Sequence, residues 1–269
     1  MLELRGIEKT FSKGTPDERR ALAGIDLSVG DGEFITVIGS NGSGKSTLFN
    51  AIAGTFFCDR GRILLDGRDV TFMRDYKRAK YIARIFQDPM KGTAPDLSVA
   101  ENIALAYARG EKHMTSFALS RSNTKFFREA LAGLGMGLED RMNVKMGLLS
   151  GGQRQAATLL MATINTPRLL LLDEHTAALD PVTAERVLKL TRDVIESRGI
   201  TAMMITHSID SALTLGTRTI MLDGGSVVLD LSGKERRSLD VAGLLELYRK
   251  KCGRALTNDR MLLERREPS

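Results

Sequence analysis

The sequence predicts an α/β protein: a core with a mostly parallel sheet, an N-terminal antiparallel β subdomain and an inserted α-helical subdomain. Three observations predict it. After Leu149, apolar strands alternate with helices, the pattern of parallel βα units with helices on both faces of a sheet. The apolar stretch FITVIG, Phe34 to Gly39, runs into a glycine-rich turn and then the apolar helix TLFNAIAG. From Ser98 to Leu149, strand signals become scarce and helical periodicity takes over.

Taken in order, LELRGI, ALAGIDLSV and EFITVIG read as strands separated by Gly, Asp and Pro signals. KGTPDERR, polar and turn-rich, reads as the hairpin loop between the first two. RILLDGRDV carries Asp66-Gly67, a hairpin signal. IARIF, ending before Gln87, is a short apolar strand. SVAENIALAYA and KFFREALAGLG are helical, with a loose polar stretch, Gly110 to Ser122, between them. A helix from about Gln153 to Asn165 precedes the strand RLLLLD, and a second runs from Pro181 to Ser197. The strand ITAMMIT leads to a short helix from about Ile209. TRTIMLD and SVVLDL follow as strands about the turn Asp223-Gly224-Gly225, and RRSLDVAGLLELYRKK reads as one last amphipathic helix. No internal repeat or low-complexity segment interrupts this order.

Composition narrows the function classes. The 269 residues are 42% hydrophobic and 27% charged, as in an ordinary soluble domain or pair of domains. There is no Trp and aromatics are 5%, which argues against a binder that works by stacking nucleic-acid bases or sugars. Cys58 and Cys252 lack metal-ligand spacing and fit a reducing compartment. The charged, alternating N-terminus does not read as a signal peptide, and no run approaches the ~18 apolar residues of a membrane span. Net charge is +6, part of it in Lys234 to Ser269, where ten Lys or Arg face six Asp or Glu. Such a surplus is ordinarily a solvated face; the sharper alternative is proximity to an acidic surface such as phospholipid or nucleic acid.

The glycine-rich turn is GSNGSGKS, Gly39 to Ser46. Strand before and helix after are the context in which this pattern binds a nucleotide triphosphate, and they place the core in the P-loop NTPase class. Gly39, Gly42 and Gly44 let Ser40, Asn41 and Ser43 bend so that backbone N–H groups form an anion nest at a helix N-terminus. Lys45 supplies a full positive charge to the β- and γ-phosphates. Ser46 offers a hydroxyl to Mg²⁺, and Thr47 another donor. In RLLLLDE, four leucines carry Asp173 and Glu174 to the C-terminal end of a strand, where ligands collect. Asp173 is placed to hold Mg²⁺, and Glu174 to polarise an attacking water as a general base. Alone, an Asp-Glu pair there is only a polar strand end; the phosphate loop is what gives it meaning. LSGGQ, Leu149 to Gln153, reads in isolation as a helix-capping loop with Ser150 as N-cap.

Together these stretches resemble the ATP-binding cassette (ABC) ATPases over Met1 to about Leu231. The motifs follow that family's order: GSNGSGKST, Gln87 in RIFQD, LSGGQ, LLLLDE, ALD ending at Asp180, and ITH ending at His207. The resemblance implies a nucleotide-binding domain over 1–231 with a helical subdomain at about 89–148, then a C-terminal helix and basic tail over 232–269. It implies that ATP and Mg²⁺ are bound, and that two cassettes pair head to tail. In that pairing Leu149, Ser150, Gly151, Gly152 and Gln153 close on the γ-phosphate held by the partner. It implies that Gln87 touches Mg²⁺ or the attacking water, that His207 hydrogen-bonds the γ-phosphate, and that Asp180 communicates across the dimer. Phe11 matches the aromatic that stacks on adenine in that family, against an ordinary core or hairpin role.

Two positions depart from the family. His175 stands where relatives usually have Pro, beside Glu174, and is expected to be structural. Ala156 stands where most relatives carry a basic residue; the helix stays amphipathic, so ATPase function is expected to survive.

With no membrane span, the permease must come from separate subunits, and the chain is expected at the cytoplasmic face of the membrane. DEHTAALDP resembles a bacterial subgroup that serves amino-acid importers with solute-binding proteins. KGTPDERR resembles lipoprotein and macrolide exporters, so export stays open. ABC ATPases of DNA repair carry long coiled coils and those of the ribosome usually carry two cassettes; neither feature occurs, so no nucleic-acid partner is expected. LSGGQ and His207 argue against a monomeric phosphate-loop kinase.

Overall fold

The computed structural model describes residues 1–109 and 120–253. The chain divides into two compact units, Met1–Ala79 with the segment from Thr201 onward, and Lys80–Ile200.

The first unit contains an antiparallel sheet in the order β2 (Arg19–Val29), β1 (Leu2–Phe11), β4 (Arg60–Leu65), β5 (Arg68–Asp69). Leu2, Leu4 and Ile7 of β1 are buried between more exposed neighbours, the alternation of a strand with one wet face. Asp66 and Gly67 join β4 to β5 with φ of 50° and 74°, the left-handed pair that a two-residue hairpin turn demands. The same unit contains the order β10 (Ser226–Ser232), β9 (Arg218–Asp223), β3 (Phe34–Gly39), β8 (Ala202–Ile205). Here β3 is parallel to both β8 and β9, and β10 returns antiparallel. All of β3 and β8 is buried, which is why both read as unbroken apolar runs.

Helix α1 (Lys45–Ala53) follows β3 directly. Its C-terminal carbonyls are met by Arg78, from the short helix α2 (Asp75–Arg78), which is 1% exposed. Arg78 donates to the carbonyls of Ala51, Ile52, Thr71 and Met73 at 2.7–2.9 Å. A buried guanidinium spread over four carbonyls, two at a helix C-terminus, is stabilised by their dipoles.

The C-terminal segment departs from expectation. RRSLDVAGLLELYRKK is two helices, α8 (Gly233–Arg237) and α9 (Val241–Cys252). The chain breaks because Asp240 is extended and caps the Gly243 N–H at 2.7 Å. Arg236 is drawn inward instead, to Thr219 Oγ1 at 2.8 Å and the carbonyls of Ala212 and Leu215. Leu244 and Tyr248 of α9 then join a core with Ile38, Met221, Leu229 and residues of α7 (Ile209–Thr214).

The second unit pairs β6 (Ile82–Ile85) in parallel with β7 (Leu169–Asp173). Around them are α3 (Val99–Ala108), α4 (Arg121–Ala132), α5 (Gly151–Thr163) and α6 (Pro181–Arg198). One apolar cluster includes Val99, Ile103, Phe127, Leu131, Ala156, Ala157 and Leu160, so α5 packs with α3 and α4. Ser98 opens α3 with a capping box to Glu101. The helix α4 starts at Arg121, earlier than its apolar pattern suggests, because Ser120 caps it through the Asn123 N–H. Of the polar stretch Gly110 to Ser122, residues 110–119 lie outside the described residues, as does the basic tail beyond Gly253.

Candidate nucleotide site

In the first unit, β3 delivers the chain into the phosphate loop with backbone angles only glycine tolerates. Gly39 has φ 147°, and an added Cβ would lie 2.2 Å from the Leu222 carbonyl oxygen of β9. Gly44 has φ 107°, with the Ala21 carbonyl 2.6 Å from the same virtual atom. The loop is thus pressed against the backbone of two other strands, and α1 starts from Gly44 with no side-chain cap. Lys45, 6% exposed, folds back to donate to the carbonyls of Gly39 at 2.7 Å and Ser40 at 3.0 Å. Ser43 is 2% exposed and its buried Oγ has no hydrogen-bond partner, while Asn41, Gly42 and Ser46 are exposed. Ser40 and Thr47 are intermediate in exposure.

His207 enters the same unit from β8, the strand paired with β3 in parallel through Val37 and Ile205. Parallel neighbours end on the same side of a sheet, so phosphate loop and His207 leave from the same edge. Phe11 ends β1 and is 39% exposed. Its ring stands edge-on to Phe56, centroids 5.4 Å apart, with Lys9 Nζ 5.6 Å from its centroid. Lys9 is held there by Asp59 at 2.8 Å.

In the second unit, β7 ends with Asp173, Glu174 follows it, and β6 leads to Gln87. A cavity of about 420 Å³ is lined by Arg84, Phe86, Gln87, Lys91, Asp173 and Ala178, among others. Asp173 is 9% exposed and pairs with Arg84, Nη2 to Oδ2 at 2.6 Å. Glu174 has φ 49°, a left-handed conformation that costs a non-glycine residue roughly 1–2 kcal/mol. Its carbonyl accepts from the Ala177 N–H at 3.0 Å, closing the turn toward α6.

His175, next in line, is 3% exposed and points away from solvent. Its Nε2 lies 3.0 Å from Thr191 Oγ1, and Thr191 donates its own hydroxyl proton to the Val187 carbonyl at 2.8 Å. Thr191 can therefore only accept, so the imidazole carries its proton on Nε2. Burial holds its pKa down, from 6.5 to about 4. Through Thr191, His175 ties the Glu174 turn to α6.

The LSGGQ segment forms the start of α5. Leu149 is buried, Ser150 and Gly151 are exposed, and Ser150 makes a reciprocal capping box with Gln153. Gly152 is required by packing: an added Cβ would come 2.3 Å from Thr183 Cγ2 of α6. Asp180 caps α6, accepting from the Thr183 N–H at 3.0 Å, and the hydrogen bonds from Thr183 hold its carboxyl below the usual range. Signature and Asp180 therefore belong to one corner, where two helix N-termini meet. Ala156 is fully buried in the helical cluster.

Three arginines were not anticipated. Arg154 clamps the approach to the signature, donating to the carbonyls of Met146, Gly147 and Leu149 at 2.8–3.2 Å. Arg19 donates to the Gly42 carbonyl of the phosphate loop at 2.7 Å. Arg84 holds Asp173. Of these, only Arg84 carries a signal in the sequence: a charge inside the apolar run IARIF must have a partner.

The residues fit a Mg·nucleotide. The Ser43 hydroxyl is buried without a hydrogen-bond partner, and the glycines hold the loop in a conformation that can turn backbone N–H groups toward an anion. No cluster of three or more His, Cys, Asp or Glu that could hold a metal occurs among the described residues. In the first unit Ser46 offers a hydroxyl and in the second Asp173 a carboxylate, each a hard oxygen donor of the kind Mg²⁺ takes.

Comparison with known proteins supports nucleotide binding. The ABC transporter family profile matches residues 22–177. The tyrosine transport ATP-binding protein of Clostridioides difficile is 40% identical over 248 residues, 92% of this chain and 98% of that one. The lipoprotein-releasing system ATP-binding protein LolD 1 of Caulobacter vibrioides is 36% identical over 228 residues, 83% and 93% of the two chains. The dimeric ATP-binding cassette MJ0796, in a post-hydrolysis state bound to ADP and Pi, superposes with a TM-score of 0.74 at 30% identity, covering 86% of this chain and 98% of that one. By its phosphate loop, its strand-end carboxylates and these likenesses, the chain belongs to the ABC transporter family, and it is an ATP-binding, ATP-hydrolysing cassette of that family.

Proposed function

We propose that this ATPase subunit works as a pair of cassettes at the cytoplasmic face of a membrane. There it drives separate permease subunits for import of amino acids or similar small solutes, delivered by an extracytoplasmic solute-binding protein. No helix among the described residues is long and apolar enough to cross a membrane, and the proposed path for solute lies in the permease subunits.

The phosphate loop, Gly39 to Thr47, binds the triphosphate through backbone amides, Lys45 and the hydroxyls of Ser46 and Thr47, with Phe11 against the adenine. Mg²⁺, held by Ser46 and Asp173 with Gln87, supplies charge neutralisation for the phosphates. Glu174 takes the proton from the attacking water, an effect worth roughly 10²–10⁴ in rate. His207 donates a hydrogen bond to the γ-phosphate as a neutral imidazole. Leu149 to Gln153 belong to the partner's nucleotide, with Asp180 relaying its state across the pair.

The observation that carries the paired reading is the exposed Ser150–Gly151 at the start of a 13-residue helix. Free amides and the helix dipole there make half of an anion site. Losing the γ-phosphate removes what joins the halves, so hydrolysis loosens the pair.

The importer reading rests on the 40% identity to a protein named for tyrosine transport, across nearly the whole of both chains. An exporter of the lipoprotein-releasing type is the second reading, favoured by the 36% identity to LolD 1. Uptake separates them. Host cells whose only copy carries Glu174→Gln should take up radiolabelled amino acids at background rates. Unchanged uptake with lipoprotein retained in the inner membrane would replace the first reading with the second.

A further inference from the structure

Arg84 gives the Asp173 carboxylate a cation before any nucleotide arrives. The two side chains are 13% and 12% exposed, and their contact is 2.6 Å. They come from adjacent parallel strands, with Arg84 opposite Leu171, two residues before Asp173. The guanidinium also lies over Phe86, 4.7 Å from the ring centroid. Its position is fixed from two sides, and both partners line the cavity that Gln87 shares.

Because the contact is direct, a second cation at this carboxylate has to exchange with Arg84 rather than add to it. We propose that Arg84 is the resident counter-ion of Asp173 and competes with the nucleotide's divalent cation for that carboxylate. In the nucleotide-free chain Arg84 keeps a nearly buried carboxylate from standing alone, which would be costly. When Mg²⁺ arrives, two cations contend for one carboxylate within a few ångströms. The cavity beside the pair, with Asp88 on its wall, gives the guanidinium somewhere to go. Arg84 thus sets the Mg²⁺ concentration at which the site closes on nucleotide. It acts through Asp173 and is a positioning residue.

The inference rests on Asp173 serving the nucleotide's metal, and its test separates the two. Affinity for a non-hydrolysable ATP analogue is measured by isothermal titration calorimetry across a series of Mg²⁺ concentrations. Arg84→Met keeps the unbranched stem against Phe86 and removes the charge. It should lower the Mg²⁺ concentration for half-maximal affinity by on the order of tenfold, the scale of one unit charge a few ångströms away in a partly screened site. Arg84→Lys, which keeps the charge but loses the planar contact with Phe86, should fall between wild type and Arg84→Met. An unchanged or raised Mg²⁺ requirement in Arg84→Met would overturn the proposal. Asp173→Asn should raise the Mg²⁺ requirement, and Arg84→Met should no longer lower it in that background; an unchanged requirement in Asp173→Asn would mean that the reading of Asp173 fails instead. Without nucleotide, in chelator, Arg84→Met should melt earlier than wild type and Mg²⁺ alone should restore it, whereas wild type should not respond. Equal Mg²⁺ responses would also count against the exchange. Should Arg84→Met not fold, Arg84→Gln carries the same predictions.

Discussion

Acidification acts on His175 in a way that can be worked from its surroundings. The imidazole is buried, donates from Nε2 to Thr191, and has a folded-state pKa of about 4 against 6.5 in the unfolded chain. A depressed histidine pKa means that the unfolded chain binds the proton first. The stability is therefore intact above pH 6.5 and is lost progressively as pH falls toward 4. Between pH 8 and pH 5 the loss is about 2 kcal/mol, and it levels off at roughly 3 kcal/mol below pH 4. For a chain of this size, 2 kcal/mol corresponds to a fall in Tm of roughly 4–8 °C. The assay is thermal melting of wild type and His175→Gln at half-unit pH steps. Glutamine can still bond Thr191 but does not titrate, so every other acid-sensitive group is common to both proteins. Wild type should lose those extra degrees relative to the variant between pH 8 and 5. Parallel curves would refute the buried neutral imidazole, and with it the structural assignment of His175.

The nucleotide site makes its own predictions. Glu174→Gln should bind ATP with near wild-type affinity by calorimetry, hydrolyse it at least a hundredfold more slowly by phosphate release, and run as a dimer on size exclusion with ATP. Lys45→Ala removes a charge-assisted contact worth about 1.5–3 kcal/mol, so titration should show ATP binding weakened by roughly ten- to a hundredfold. Phe11→Ala should cost about 1–3 kcal/mol of binding if the ring stacks on adenine, and pyrimidine nucleotides should lose less. Lys45→Ala and Ser150→Arg proteins, each inactive alone, should regain ATPase activity when mixed, because a head-to-tail pair of the two retains one intact composite site.

The sequence made the fold legible where one rule dominated. FITVIG and LLLLD read as buried parallel strands because nearly every residue before the strand end is apolar, and Asp66-Gly67 read as a hairpin because only left-handed residues fit that turn. The phosphate loop was legible for the same reason: Gly39 and Gly44 are dictated by backbone passing within van der Waals contact. The C-terminal helix was misjudged because its amphipathic pattern continues through Leu239 and Asp240, whereas tertiary bonds of Arg236 and the cap at Asp240 decide where the chain breaks. The start of α4 was hidden because Arg121 to Thr124 carry no apolar period; a serine cap sets it. Around the site, Arg84 and Arg19 act on a carboxylate and a carbonyl brought from elsewhere in the chain, and Arg154 on carbonyls of the turn just before its own helix. Their spacing encodes nothing, and only the oddity of a charge within IARIF points to one of them.

The central claim is that the nucleotide is enclosed by two chains, and a structure of Glu174→Gln trapped with Mg·ATP tests it most directly. Ser150 Oγ is predicted within hydrogen-bonding distance of the γ-phosphate seated in the partner's phosphate loop, with the same contact repeated at the second site. A trapped state in which Ser150 faces solvent, or reaches the phosphate bound by its own Lys45, would contradict the account.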